Sequence, residues 1–404
     1  MKGLDYMAGE GGIRMLTLIK GGEVYAPDYL GKKDILLVGG KIGYIRDEIA
    51  IPKDFVDMDI IDARGKYIVP GFIDSHVHIC GGGGEGSFKT RTPEIQLTDI
   101  TLGGVTTVIG VLGTDGTTRT MSNLVAKANG LEEEGITTYI YTGSYQVPIR
   151  TITGSIQDDI ILIDKIIGVG EVALSDHRSS QPTVEDMAKI AAEARVGGIL
   201  SGKAGIVNIH MGDGDRQLDF LEEIVETTEI PITQFLPTHM GRSTKLFARS
   251  IDYAKKGGFV DFTTSSNKKD EEDWDTKPSK ALKTLLEEGV SPRNITFSSD
   301  GQGSLPKFDE EGNFIGLGIG KVNSLYGEVK DAILEEKIPM DKALMTITSN
   351  PANILRLSNK GCIKEGMDGD IVLLDKTTLE IDTVIAMGRI MVLEGEAIVK
   401  GTFE

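Results

Sequence analysis

Tyr67-Ile68-Val69-Pro70-Gly71-Phe72-Ile73-Asp74-Ser75-His76-Val77-His78 decides how this chain is read. Ile, Val and Phe with a short polar alternation favour a β-strand. On a strand, side chains at i and i+2 point to one side, so His76 and His78 converge. Two convergent imidazoles begin a metal site, provided other segments bring the remaining ligands.

Working outward from this strand, a rhythm recurs. Short apolar runs end in polar residues, and helix-like stretches follow. The runs are Tyr67–His78, Val105–Gly113, Thr137–Tyr145, Glu171–Asp176, Gly205–Gly212, Ile232–His239, Phe259–Ser265 and Asn294–Asp300. Eight strands alternating with helices predict an α/β fold, a (β/α)8 TIM barrel over residues 67–357. The alternative is an open doubly wound sheet. Gly81–Gly84 lacks the spacing of a dinucleotide-binding loop, which disfavours it. Residues 15–66 and 358–404 instead read as short strands and turns. Neither is long enough for its own core, so they are expected to pair into one small β-sandwich. Residues 1–14 are patternless and read as a disordered lead-in.

The 404 residues are 40% hydrophobic and 26% charged, an ordinary globular composition. A formal net charge of −18 disfavours nucleic acid and anionic membranes as partners. Two cysteines, Cys80 and Cys362, cannot build a disulfide framework, and a reducing cytoplasm fits. No apolar run reaches membrane-spanning length.

Active sites of β/α barrels lie at the C-terminal ends of the strands. Of five histidines, four fall at such ends: His76, His78, His210 and His239. Asp300 ends the eighth run, Tyr145 the third, and Glu171 opens the fourth. Four His, one Asp and one further carboxylate suit two borderline divalent cations, with Zn²⁺ preferred. Two such ions about 3.5–4 Å apart can share a hydroxide that exists at neutral pH. Asp300 could accept its proton and pass it to a leaving amine. Tyr145 could help stabilise the oxyanion. This is metal-assisted hydrolysis.

Pro70-Gly71-Phe72-Ile73-Asp74-Ser75-His76-Val77-His78 resembles the opening metal motif of the amidohydrolase superfamily. Asn350-Pro351-Ala352-Asn353-Ile354-Leu355 and Gly366-Met367-Asp368-Gly369-Asp370-Ile371-Val372 resemble its late-chain signatures. Within that superfamily the chain is similar to the isoaspartyl (β-aspartyl) dipeptidases. The resemblance rests on His78-Ile79-Cys80-Gly81-Gly82-Gly83-Gly84-Glu85, Tyr141-Thr142-Gly143-Ser144-Tyr145, Ser175-Asp176-His177-Arg178-Ser179, His210-Met211-Gly212-Asp213, Pro237-Thr238-His239 and Ser298-Ser299-Asp300-Gly301.

The resemblance implies cleavage of dipeptides whose aspartate is linked through its side chain. It implies two Zn²⁺ per chain on His76, His78, His210, His239 and Asp300, with Asp300 also the general acid/base. It implies Glu85 for the substrate α-ammonium and Gly83, Thr114 and Ser304 for the aspartyl α-carboxylate. Arg178 and Arg242 would take the C-terminal carboxylate, and Tyr145 would polarise the scissile carbonyl. Symmetric homo-oligomers are also implied. A zwitterion with two carboxylates does need guanidinium forks and one anionic partner.

One position departs from the family pattern. Relatives bridge their metals with a carboxylated lysine at strand four, where this chain has Glu171. A glutamate carries the same charge on a shorter side chain, so its backbone must come closer, and Gly168-Val169-Gly170 could permit that. Lys165, read as lying on the preceding helix, is the alternative bridge. Asp74 and His177 read as supporting groups and Cys80 as a free thiol. Gly81–Gly84 reads as a mobile loop suited to substrate entry, and Lys268–Asp273 as a solvated acidic loop. The competing functions are another amidohydrolase, such as a cyclic-amide hydrolase or an N-acyl-amino-acid deacylase, and a non-catalytic scaffold.

Overall fold

The structure is a computed structural model and describes residues 15–51, 57–265, 276–308 and 314–404. The expectations for residues 1–14 and 268–273 lie outside these.

Eight parallel strands form the centre: β1 (Phe72–Val77), β2 (Val105–Gly110), β3 (Thr137–Thr142), β4 (Ile166–Leu174), β5 (Ile206–Met211), β6 (Phe235–Thr238), β7 (Val260–Thr263) and β8 (Ile295–Ser298). The first six pair in sequential order, and β7 pairs with β8. Met240 N–H donates to Asp261 O at 3.1 Å, joining β6 to β7. A parallel bridge of Val77 with Gly301, and His78 N–H donating to Gly301 O at 2.8 Å, join β8 back to β1. The parallel sheet therefore curls into a closed ring, and the open doubly wound alternative fails. Strands such as Val105-Thr106-Thr107-Val108-Ile109-Gly110 are buried at every position, as parallel strands covered on both faces must be.

Helices α1 (Leu97–Thr101), α2 (Met121–Glu134), α3 (Ile156–Leu162), α4 (Val184–Ser201), α5 (Asp219–Thr227), α6 (Thr244–Lys255), α7 (Pro278–Glu287) and α8 (Ser324–Leu334) alternate with the strands. Their ends follow capping chemistry. Thr183 and Asp186 form a capping box at the start of α4, and Gly202 ends it in the left-handed region. The Asn350–Leu355 signature is the plug of the barrel floor. Asn350 Nδ2 donates to Pro292 O and Ile295 O at 2.7 and 2.8 Å. Ala352, Ile354 and Leu355 pack against Ile73, Ile109, Ile167, Ile206 and Leu236.

The two flanks do join. Among the described residues they form one nine-stranded sheet, tied across by Lys66–Pro70 pairing antiparallel with Ile371–Asp375. The hydrogen bonding thus follows one continuous sheet where two facing sheets were expected. It has its own core, with Ile19, Ile35, Leu37, Ile68, Ile371 and Leu373 among its members. Lys66–Pro70 belongs to this sheet, so the run read as one strand from Tyr67 to His78 is two strands. The second signature, Gly366–Val372, is the seam to the barrel: Gly71 N–H donates to Asp370 O at 2.8 Å, and the Lys360 ammonium sits 2.5 Å from Asp370 and 2.9 Å from Asp368.

Candidate active site

The strand ends bring the predicted ligands together. His78 directly follows β1, His210 lies within β5 and His239 directly follows β6. Tyr145 stands three residues past β3 and Asp300 two past β8, so neither is on its strand as expected. His239 and Asp300 adopt left-handed backbones, with φ of 64° and 53°. Such conformations cost about 1–3 kcal/mol each and concentrate at functional sites.

Glu171 lies inside β4, which begins at Ile166 rather than at Glu171. The register between β4 and β5 slips here: Val169 pairs with Val207 and Val172 with Ile209, so Gly170 and Glu171 together face Asn208 alone. This bulge re-aims the Glu171 side chain. The glycines beside it allow the close approach. A Cβ on Gly168 would stand 2.5 Å from Ile206 O, and one on Gly170 2.8 Å from Asn208 Cβ. Lys165 is not in a helix and not at the site. Its ammonium contacts Glu132 and, at 2.9 Å, Thr138 Oγ1, so it drops out as a bridge.

The two Glu171 oxygens face different histidines. Oε1 is 3.3 Å from His78 Nε2, while Oε2 is 3.3 Å from His76 Nε2 and 3.0 Å from His210 Nδ1. Asp300 Oδ1 is 3.1 Å from His78 Nε2 and 3.8 Å from His76 Nε2. Two donor sets result, His76–His78–Asp300 and His76–Glu171–His239, each with ligand atoms within 4.8 Å of one another.

This chemistry suits a cation. His76 Nε2, Glu171 Oε1 and Asp300 Oδ1 are buried without a hydrogen-bond partner, a costly arrangement unless an ion is meant to satisfy them. Burial pushes the Glu171 carboxyl up, but His76, His210 and His239 outweigh it and hold the group well below the usual carboxylate range. Burial likewise opposes ionisation of Asp300, yet His78, His239 and His76 hold it at about 2. Against the cost of burial, Glu171 and Asp300 push His76 up to about 10. Two fixed carboxylates thus call for positive charge at this point.

Beyond the histidines lies a second group of charges. Arg178 Nη1 reaches Glu85 Oε1 at 3.3 Å, and its guanidinium lies 5.4 Å over the Tyr145 ring. Thr114 Oγ1 donates to Glu85 at 2.9 Å. Arg242 Nη1 donates to Met211 O at 2.7 Å and stands 3.0 Å from His210 Nε2. Tyr145 OH is 2.7 Å from His210 Nδ1, and burial, with Glu171 beside it, pushes its pKa well up. Gly83 and Ser304 adjoin, since a Cβ on Gly83 would stand 2.9 Å from Ser304 Cβ.

The Gly81–Gly84 loop is not loose. Arg119 ties it down, donating to Cys80 O at 3.0 Å and Gly82 O at 2.9 Å, and Gly82 N–H donates to Thr92 Oγ1 at 2.6 Å. Burial pushes the Cys80 thiol up to about 12, and it is free. His177 does not support the site: its side chain is 86% exposed. Asp74 supports it indirectly, by accepting from the backbone N–H of Ser299 at 3.0 Å and so tying β1 to the end of β8.

Three neighbours have no role in the sequence reading. Asn208 Oδ1 is 3.1 Å from His76 Nδ1, Thr263 Oγ1 is 2.5 Å from His239 Nδ1, and Asp176 Oδ2 is 3.1 Å from His210 Nε2. Asn208 stands two residues before His210 on the same strand face, the spacing that marked His76 and His78. Asp176 stands in the Ser175–Ser179 motif itself.

The amidohydrolase family model matches residues 67–391. The structure resembles β-aspartyl dipeptidase from Fervidobacterium islandicum AW-1 in complex with the β-Asp-Leu dipeptide: 48% identity, 95% of this chain and 98% of that one covered, TM-score 0.87. D-hydantoinase from Thermus sp. is similar in fold, with 17% identity over 95% and 97% of the two chains and TM-score 0.69. In sequence, the dihydroorotase of Lactobacillus johnsonii is 25% identical over 401 residues, 89% of each chain.

Proposed function

The chain belongs to the amidohydrolase family, alongside the β-aspartyl dipeptidases, and from that premise we propose that this hydrolase is a metal-dependent β-aspartyl (isoaspartyl) dipeptidase. One observation carries the reading: two guanidinium groups, Arg178 and Arg242, and the Glu85 carboxylate border the histidine–carboxylate cluster. That combination fits a zwitterion with carboxylates at both ends.

His76, His78, Glu171, His210, His239 and Asp300 would hold two Zn²⁺, with Glu171 at the position where relatives carry a carboxylated lysine. The bound ions would supply a water acidic enough to attack at neutral pH and would polarise the scissile carbonyl. Asp300 would accept a proton from the attacking water and pass it to the leaving amine. Tyr145 keeps its phenolic proton and would direct it as a hydrogen bond to the developing oxyanion. Arg178 and Arg242 orient the C-terminal carboxylate. Glu85 exchanges its contacts with Arg178 and Thr114 for the substrate α-ammonium, and Gly83, Thr114 and Ser304 receive the aspartyl α-carboxylate. The enzyme would act on small dipeptides in the cytoplasm, as a homo-oligomer, without nucleic acid or membrane. No helix of the described residues is long and apolar enough to cross a membrane.

The similarity to dihydroorotase supports a second reading, a cyclic-amide hydrolase. The zinc-loaded protein, tested on β-Asp-Leu, dihydroorotate, a hydantoin and an N-acyl amino acid, separates them. The first reading expects turnover of β-Asp-Leu alone. Turnover of a cyclic amide without β-Asp-Leu supports the second.

A further inference from the structure

Asp176 joins the two halves of the site. It follows β4 after a turn at Ser175, whose φ is 55°. Its carboxylate is buried, with the side chain 3% exposed. Oδ1 accepts from Arg178 N–H at 2.7 Å and from Arg178 Nε at 3.0 Å. Oδ2 accepts from Arg178 Nη2 at 2.7 Å, lies 3.1 Å from His210 Nε2, and is 3.8 Å from Arg242 Nη1. The chain makes room for this placement, since a Cβ on Gly212 would stand 2.6 Å from Asp176 Cβ and 2.2 Å from Ser175 O.

Both ring nitrogens of His210 face a carboxylate, so a metal taken on Nδ1 would leave the ring proton to Nε2 and Asp176. His210 Nδ1 faces Glu171 Oε2 at 3.0 Å, and Nε2 faces Asp176. The other neighbours of Nε2 are Arg178 Nη2 at 3.2 Å and Arg242 Nη1 at 3.0 Å, which can only donate, and Tyr145 OH at 3.2 Å, which lies closer to Nδ1, at 2.7 Å. Asp176 is the carboxylate placed to accept a proton on Nε2, and such a proton leaves the Nδ1 lone pair free on the Glu171 side. Histidine ligands are commonly held by a carboxylate in this way.

We propose that Asp176 is a positioning residue for both functions: it holds His210 as the Nε2–H tautomer with Nδ1 open to a metal, and it clamps Arg178 by Nε and Nη2 so that Nη1 is left to reach the substrate carboxylate. The inference rests on the dipeptidase reading above and assigns one carboxylate to two subsites.

The test pairs Asp176→Asn with Arg178→Ala. Each is compared with wild type on β-Asp-Leu and on β-aspartyl 3-methylbutylamide, which lacks the C-terminal carboxylate. Zinc affinity is measured separately by chelator competition. Asp176→Asn should bind zinc about 10–100-fold more weakly. Its preference for the carboxylate-bearing substrate, in kcat/KM, should fall towards that of Arg178→Ala. Unchanged zinc affinity, or an unchanged preference, overturns the proposal; a residue that only supports the fold would lower thermal stability and leave both intact. Should Asp176→Asn not fold, nitrogen-15 spectra of the wild-type zinc form, with only five histidines, read the tautomer directly. Nε2–H at His210 supports the proposal and Nδ1–H overturns it. Failure of wild type to cleave β-Asp-Leu would remove the dipeptidase reading, while the zinc and tautomer measurements still decide the role of Asp176.

Discussion

Asn208 Oδ1 lies 3.1 Å from His76 Nδ1, and the same amide donates its Nδ2 to Leu236 O at 3.2 Å. The carbonyl contact sets which end of the amide faces the histidine. His76 can therefore keep a proton on Nδ1 while Nε2, which faces Glu171 and Asp300, is given up to a metal ion. Asn208→Ala should weaken zinc binding about 10–100-fold. Its activity should be low at limiting zinc and largely restored by excess zinc. Zinc titration of activity checks this, and a wild-type midpoint would remove Asn208 from the account.

Glu171 carries its carboxylate in its own side chain, so assembly of the centre should need no carbon dioxide. Metal-free protein should regain full metal content and rate with zinc in bicarbonate-free buffer. Glu171→Ala should lose one of two bound ions and most of the rate, by elemental analysis and steady-state assay. Unchanged metal content and rate in that variant would sink the bridging role.

Gly168 and Gly130 should respond oppositely to the same substitution. A Cβ at Gly168 meets the backbone oxygen of Ile206 at 2.5 Å, whereas one at Gly130, inside α2, meets nothing within 4 Å. Gly168→Ala should destabilise by about 1–3 kcal/mol through overpacking. Gly130→Ala should stabilise by about 0.5–1 kcal/mol through helix propensity. Chemical denaturation midpoints report both signs.

Asp34 should make the flanking sheet acid-sensitive. Its buried carboxylate accepts from Lys20 Nζ at 2.6 Å and from the N–H groups of Gly21 and Ile49, each at 2.8 Å. Burial pushes its pKa up, but these donors outweigh it and hold it below the ordinary 3.8. A depressed folded-state pKa gives stability that is fully present above the unfolded value and is lost as pH falls through the folded one. Asp34→Asn should therefore cost about 2 kcal/mol at neutral pH. The gap from wild type should close as pH drops below 3.8. A gap independent of pH would contradict the assignment.

The barrel was legible because strands buried on both faces read as continuous apolar runs, and the ligands because they close those runs. β4 was harder to read. Gly168-Val169-Gly170 has the look of a turn, yet those glycines let a strand approach its neighbour, so its start at Ile166 was missed. The hairpin of Ser304–Phe308 with Phe314–Ile319 was also missed, its second strand being interrupted by Gly316 and Gly318. Asn208 and Asp176 stand in local patterns, but their roles depend on partners 132 and 34 residues away, which those patterns do not name. The single flanking sheet likewise depends on Lys66–Pro70 meeting Ile371–Asp375.

The most direct measurement follows turnover of β-Asp-Leu and α-Asp-Leu side by side as zinc is titrated into metal-free protein. The account predicts cleavage of the β-linked dipeptide alone, rising to a plateau at two zinc per chain. No cleavage of β-Asp-Leu at any zinc level, or equal cleavage of the α-linked dipeptide, would contradict it.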